Sequence, residues 1–249
     1  MTLAADEVLP AEALPQSRNH LLAVLPPSEF LALKPYLTTV DLRARDRLAE
    51  PNRAIEAVYF PLDAVLSMAA VGREGGSVEV GSVGCEGMTG LPVLLGAGQS
   101  TSRVAVQIGG QAERMDAVAF RREAQRHDQF GRLLFLYAQA FMTQVAQSTA
   151  CNRLHAAEQR LARWLLICRD RVGRDQLPIT QETMALMLGV RRATVTEAAG
   201  SLQRTGVIRY RRGVVVVANR AGLEAASCEC YAVIRDHFAR LGLSNGKPS

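Results

Sequence analysis

The stretch Ile179-Thr180-Gln181-Glu182-Thr183-Met184-Ala185-Leu186-Met187-Leu188-Gly189-Val190-Arg191-Arg192-Ala193-Thr194-Val195-Thr196-Glu197 constrains this chain more than any other. Two short helices that cross closely need a small residue on the first, and Ala185 supplies it. The turn between them needs a residue that tolerates positive φ, and Gly189 supplies that. The second helix needs an aliphatic residue facing the first, and Val195 fits. Counted from Gln181, the three fall at the fifth, ninth and fifteenth places, the spacing of a helix-turn-helix. Thr180 is the expected N-cap of the first helix, with Thr183 three residues on.

The second helix then presents Arg191, Arg192, Thr194 and Thr196 on the side away from Val195. An Arg can fork onto guanine O6 and N7, and a Thr can reach phosphate or a thymine methyl. Ala193 and Glu197 also lie within reach of a groove. Glu197 can accept from a cytosine amine or pair with a neighbouring Arg. After Leu202, the run Gly206 to Val217 reads as strand, basic turn and apolar strand, a β-wing with Arg209, Arg211 and Arg212 beside a phosphate backbone. Thr180, Gln181 and Arg204 are expected to join them on phosphates.

Charge supports this. Residues 1–150 carry 13 basic and 16 acidic side chains, and residues 151–249 carry 16 basic and 8 acidic, so the net of +5 divides into −3 and +8. A basic module behind a mildly acidic one suits a polyanion. A helical hairpin with a solvated Arg face is the plainer alternative. A simple interaction scaffold has no need of wing arginines. Turn glycine, small residue, wing and local charge together favour double-stranded DNA.

Residues 1–19 read as a tail rich in Ala, Pro and acid. Two short helices, broken at Pro26-Pro27, are expected over 20–39. From about 40 to 116, runs rich in β-branched residues (Ile55–Phe60, Ala64–Val71, Ser77–Val83, Arg103–Ile108, Gln111–Met115) alternate with turns. Gly75-Gly76 and Gly109-Gly110 are placed as hairpin turns. This texture predicts a small antiparallel roll, interrupted over Gly84–Gly98 by a glycine-rich loop and short helix. Helical patterning follows Asp116, with Asp128 as a candidate N-cap. Leu133, Leu134, Leu136, Tyr137, Ala140, Phe141, Gln144 and Val145 form a stripe wide enough for a dimer seam. Packing on its own roll is the alternative. A further helix, about His155 to Val172, ends at Gly173. Ala221–Ala226 and Cys228–Leu241 also look helical.

With these residues in view, the chain resembles the Crp/Fnr family of bacterial transcription regulators. Leu188-Gly189-Val190-Arg191-Arg192-Ala193-Thr194-Val195 is similar to that family's helix-turn-helix, and Gly206-Val207-Ile208 to the strand that follows. The resemblance implies an α+β fold. An N-terminal antiparallel, cyclic-nucleotide-binding-like β-roll (20–126) would precede a long dimerisation helix (127–152) and a C-terminal winged helix-turn-helix with a C-terminal helix (153–249). It implies a homodimer on an inverted repeat, with Arg192 as the base-reading Arg. The family's usual Glu is Ala193 here, and its second base-reading Arg is Glu197, which points to a different half-site. Gly84-Cys85-Glu86-Gly87-Met88-Thr89-Gly90-Leu91-Pro92 resembles the entrance to the family's phosphate-binding cassette. It makes Glu86, Gly87, Met88, Gly90, Ser102 and Arg103 candidates for an effector pocket. The Glu that holds a cyclic nucleotide's ribose is Leu91 or Pro92 here, which disfavours cyclic nucleotide. Another small molecule, or a scaffold role alone, is the alternative for the roll.

No cofactor or metal site is expected. The five cysteines (85, 151, 168, 228 and 230) are too few and scattered for a disulfide framework. No Cys precedes Cys85, which disfavours the iron–sulfur cluster that oxygen-sensing relatives carry near the N-terminus. Cys228-Glu229-Cys230 is too closely spaced for an ordinary zinc knuckle and has no second pair, so both read as small buried residues, with a redox-active thiol as the alternative. The four histidines lie far apart. No nucleophile–base pattern or nucleotide loop marks an enzyme. The longest strongly apolar run, Leu133 to Met142, is half a membrane span, and no secretory signal precedes it. A cytoplasmic protein is expected, with RNA polymerase as a candidate partner.

Overall fold

The computed structural model describes residues 17–72 and 76–243. Most of the N-terminal tail therefore lies outside the described residues, as does Gly75 of the first hairpin. Two short helices, α1 (His20–Ala23) and α2 (Pro27–Leu33), come first, separated at Pro26-Pro27. They lead into β1 (Thr38–Leu42), β2 (Arg47–Ala49), β3 (Ala57–Pro61), β4 (Val65–Val71) and β5 (Ser77–Val83). The short helix α3 (Leu91–Leu94) follows, then β6 (Arg103–Ile108) and β7 (Gly110–Asp116). These strands form two antiparallel sheets, ordered β1-β7-β3 and β2-β6-β4-β5, which share a core that includes Leu42, Phe60, Leu66, Val83, Val106 and Met115.

Gly109-Gly110 is not a hairpin turn. β6 pairs with β4 and β2, whereas β7 pairs with β1 and β3, so the pair carries the chain from one sheet to the other. Packing dictates the glycine: a Cβ on Gly110 would lie 2.5 Å from Asp63 Oδ1 and 2.8 Å from the Ala64 nitrogen.

Asp116 caps α4 (Ala117–Arg126), accepting from the amides of Val118 and Ala119. The long helix α5 (Asp128–Leu154) begins with His127 at its N-cap position rather than Asp128. Its free amides are met from a distance, because the Glu29 carboxylate of α2 accepts from Gln129 and Phe130 nitrogens at 3.3 and 2.8 Å. The stripe on α5 divides. Leu134, Tyr137, Ala140, Phe141 and Gln144 are buried against the chain's own core, so this part packs on the roll. Of the stripe Leu136 alone is exposed, at 49%, while Phe135 and Met142, which lie outside it, stand 58% exposed on the side away from the roll.

The C-terminal module comprises α6 (Ala157–Val172), β8 (Gln176–Leu177), α7 (Gln181–Leu188), α8 (Arg192–Arg204), β9 (Ile208–Arg211), β10 (Val214–Val217), α9 (Arg220–Ala226) and α10 (Cys230–Ala239). Gly173 ends α6 in the left-handed conformation. Its core gathers Leu161, Trp164 and Leu165 of α6, Met184 and Leu188 of α7, Val195, Ala199 and Leu202 of α8, and Val215 and Val217 of β10. α10 turns back to α5, setting Phe238 against Tyr137 with ring centroids 6.3 Å apart. Among the described residues, no helix is long and apolar enough to cross a membrane.

Candidate nucleic-acid interface

The side chain of Thr180 accepts from the Thr183 amide at 3.2 Å and starts α7. Gly189 ends α7 at φ 62°, while Val190 N–H returns to the Ala185 carbonyl, a left-handed cap closed by a backbone bond. A Cβ at Gly189 would sit 3.3 Å from Val78 Cγ2 on β5, so the turn of the motif rests on the roll. Arg160 of α6 donates to the Leu188 carbonyl and to Asn152 Oδ1, tying this turn to the end of α5. Val195 is fully buried under the crossing, as the spacing requires.

Arg191, Arg192 and Glu197 are exposed at the start of α8, with Thr196, while Thr194 is half-buried. Arg191 stands at the N-cap position in extended conformation and offers no side-chain acceptor. The first-turn amides of α8 thus remain for an outside acceptor such as phosphate. Gln181 joins the two helices: its Oε1 accepts from Arg192 Nε and from Thr196 Oγ1, both at 3.4 Å. Glu197 is exposed and pairs with no neighbouring Arg among the described residues.

The wing is a two-residue hairpin. Arg211 pairs with Val214, and Arg212 and Gly213 between them both have positive φ, 50° and 80°. That is the turn whose twist suits two strands. Arg209, Arg211 and Arg212 are exposed. Tyr210 N–H donates to Gln203 Oε1 at 2.9 Å, which fixes β9 to α8. A Cβ on Gly213 would lie 3.5 Å from Thr180 Cγ2, so the wing turn sits beside the start of α7. Arg204, at the last turn of α8, is exposed. The base-reading and backbone candidates thus share one connected surface.

The six effector-pocket candidates do not share a pocket. Glu86 is buried in an ion pair with Arg171 of α6. The Met88 carbonyl accepts from Tyr137 Oη at 2.9 Å. A Cβ on Gly87 would lie 2.3 Å from the Tyr137 ring. Tyr137 of α5 therefore fills the space before this glycine-rich loop. Arg103 is paired with Glu50, Nε lying 3.1 Å from both carboxylate oxygens, beside Ser102. Gly90 alone of the six lines the recess of the roll, with Leu48, Ile55, Tyr59, Met68 and Val104 among its mostly apolar walls.

One cluster escaped sequence spacing altogether. Cys151 and His155 at the end of α5 meet Cys228 and Cys230 at the junction of α9 and α10. The four ligand atoms lie within 4.8 Å of one another. The Cys-x-Cys pair does have a partner pair, but one 77 residues upstream. The signal in the sequence was a Cys and a His four apart at a helix end, which places both on one face.

A roll of two antiparallel sheets, a long helix and a winged helix-turn-helix define a two-module protein whose C-terminal module is built like a DNA reader. Residues 159–226 match the family described as the Crp-like helix-turn-helix domain, and the chain has the architecture of Crp/Fnr-family regulators. FixK2 from Bradyrhizobium japonicum is similar with a TM-score of 0.66 at 15% identity, over 77% of this chain and 98% of that one. A CRP-family transcriptional regulator from Thermus thermophilus is similar with a TM-score of 0.63 at 15% identity, over 76% and 96%. The c-di-GMP-responsive global regulator CLP of Xanthomonas campestris is similar with a TM-score of 0.59 at 13% identity, over 76% and 96%. No curated protein sequence matches the chain.

Proposed function

We propose that the protein is a sequence-specific DNA-binding transcription regulator that grips an inverted repeat as a homodimer. The observation that carries this reading is the joint at Gln181. It holds Arg192 and Thr196 side by side at the start of an exposed α8, with the wing turn beside Thr180. Recognition helices of this kind present their N-terminal residues to base edges in the major groove. Arg191, Arg192, Thr194, Thr196 and Glu197 read bases. Thr180, Gln181, Arg204, Arg209, Arg211 and Arg212 hold the backbone.

Dimerisation uses the outer stripe of α5. Phe135 and Met142 are seven residues apart and both exposed, which is the period of a helix pair. Two α8 helices then enter successive major grooves about 34 Å apart. The protein works in the cytoplasm and is not an enzyme. Any effector acts through the roll by shifting the relation between α5 and α8. The loop filled by Tyr137, and Leu91-Pro92 at the ribose position, favour an effector other than cyclic nucleotide.

The test is selection of bound sites from random duplex DNA by the purified protein, with and without cyclic AMP and cyclic GMP. An inverted repeat enriched without nucleotide supports the proposal. Enrichment only with nucleotide overturns the effector reading. Retention of DNA without any sequence enrichment, under all conditions, overturns sequence-specific reading.

A further inference from the structure

We infer that Cys151, His155, Cys228 and Cys230 form a tetrahedral zinc site, which clips the C-terminal helices to the junction between α5 and α6. This stands apart from the DNA-reading surface and does not depend on it.

Two of the ligand pairs stand close to the spacing that the ion sets. Cys151 Sγ lies 3.5 Å from Cys228 Sγ, and His155 Nδ1 lies 3.5 Å from Cys230 Sγ. A tetrahedral zinc with Zn–S about 2.3 Å and Zn–N about 2.0–2.1 Å sets its ligand atoms about 3.6–3.8 Å apart. Three thiolates and one imidazole are a donor set suited to structural zinc. The three cysteines form a buried cluster of their own, separate from both large cores.

The surroundings complete the site. The other ring nitrogen of His155, Nε2, lies 3.1 Å from Glu229 Oε1. This orients Nδ1 toward the sulfurs, as the carboxylate partner of a zinc-bound His does. Gln147 Nε2 donates to Cys230 Sγ at 3.1 Å, a bond that supports a thiolate. Three thiolates around one divalent cation leave a net charge of −1. Arg160 and Arg163 answer that charge. Both side chains are buried, and Arg160 is electrostatically coupled to Cys151 and Cys228, Arg163 to Cys151. Each also has a buried Nε without a hydrogen-bond partner among the described residues. Cysteines serving only as small core residues would need neither an imidazole among them nor a carboxylate aiming it.

The site joins two parts far apart in sequence. Cys151 and His155 close α5, whereas Cys228 and Cys230 open the turn into α10, which packs on α5 through Phe238. Bound zinc therefore fixes α10 against the long helix, just where the chain passes into α6.

The experiment is metal analysis of the full chain purified in reducing buffer, followed by exchange with cobalt(II). Close to one zinc per chain is expected, with cobalt giving the ligand-field bands of tetrahedral thiolate coordination. C228S and C230S should lose the metal. C168S, which removes a buried thiol outside the cluster, should keep it. Glu229 has an exposed side chain, so E229Q tests the site without disturbing the core, and its zinc affinity should fall about 10–100-fold. Chelation should speed proteolysis within α9 and α10. A metal-free reduced protein, an iron–sulfur chromophore, zinc retained in C228S, or unchanged zinc affinity in E229Q would each overturn the assignment.

Discussion

Arg171 of α6 and Glu86 of the roll form a buried bidentate ion pair, with Nη2–Oε1 at 2.7 Å and Nε–Oε2 at 3.2 Å. The same guanidinium donates to Ser82 Oγ, the Ser82 carbonyl and Gln144 Oε1. One side chain thus fastens the helix-turn-helix module to the end of β5 and to α5. Removing one partner leaves an uncompensated buried charge, which is strongly destabilising. Arg171→Met should therefore cost about 3–5 kcal/mol in urea unfolding. Pairing it with Glu86→Leu should restore much of that loss. A single variant as stable as the parent would mean that the pair does not fasten the modules.

Glu79 on β5 sits among Ser67, Gln107 and the arginines Arg163 and Arg171 of α6. Burial pushes its carboxyl from the ordinary 4.5 up to about 7. The folded protein therefore holds this proton more tightly than the unfolded chain does. Its contribution to stability is fullest below about pH 4.5 and is lost as pH rises through about 7. Glu79→Gln should flatten that part of the Tm–pH curve and raise Tm above pH 7 relative to the parent. Parallel curves for the two proteins would refute this.

The outer face of α5 carries the dimer prediction. Phe135→Asp with Met142→Asp places charges where two helices would meet, at positions already exposed within the chain. Sedimentation should show a dimer for the parent and a monomer for the variant, with unchanged circular dichroism. A variant that sediments like the parent would remove α5 from the interface.

Much of this was legible in the sequence because local chemistry fixed it. Gly189, Thr180 and Val195 occupy the turn, cap and crossing that their spacing demanded. The five strand runs emerged as strands. What the sequence hid was long-range. Which side of α5 faces the roll depends on Tyr137 entering the loop at Gly87, and periodicity alone does not distinguish a helix's two apolar sides. Glu86 looked like a ligand group because its partner, Arg171, lies 85 residues away. The cysteine cluster was hidden for the same reason.

The wing makes a separate claim about salt. Arg211 is exposed on β9, next to the turn, and under the proposed function it meets phosphate rather than bases. Arg211→Ala should weaken all duplexes to a similar degree and lower the slope of log affinity against log salt by about 1. An unchanged slope would place Arg211 away from the backbone.

The reading of α8 as the recognition helix is tested most directly by the affinity of Arg192→Ala for the selected inverted repeat and for random duplex, at one fixed salt concentration. The account predicts a loss of about 1–3 kcal/mol on the specific site, with one base position relaxed and little change on random DNA. Equal losses on both duplexes would contradict it.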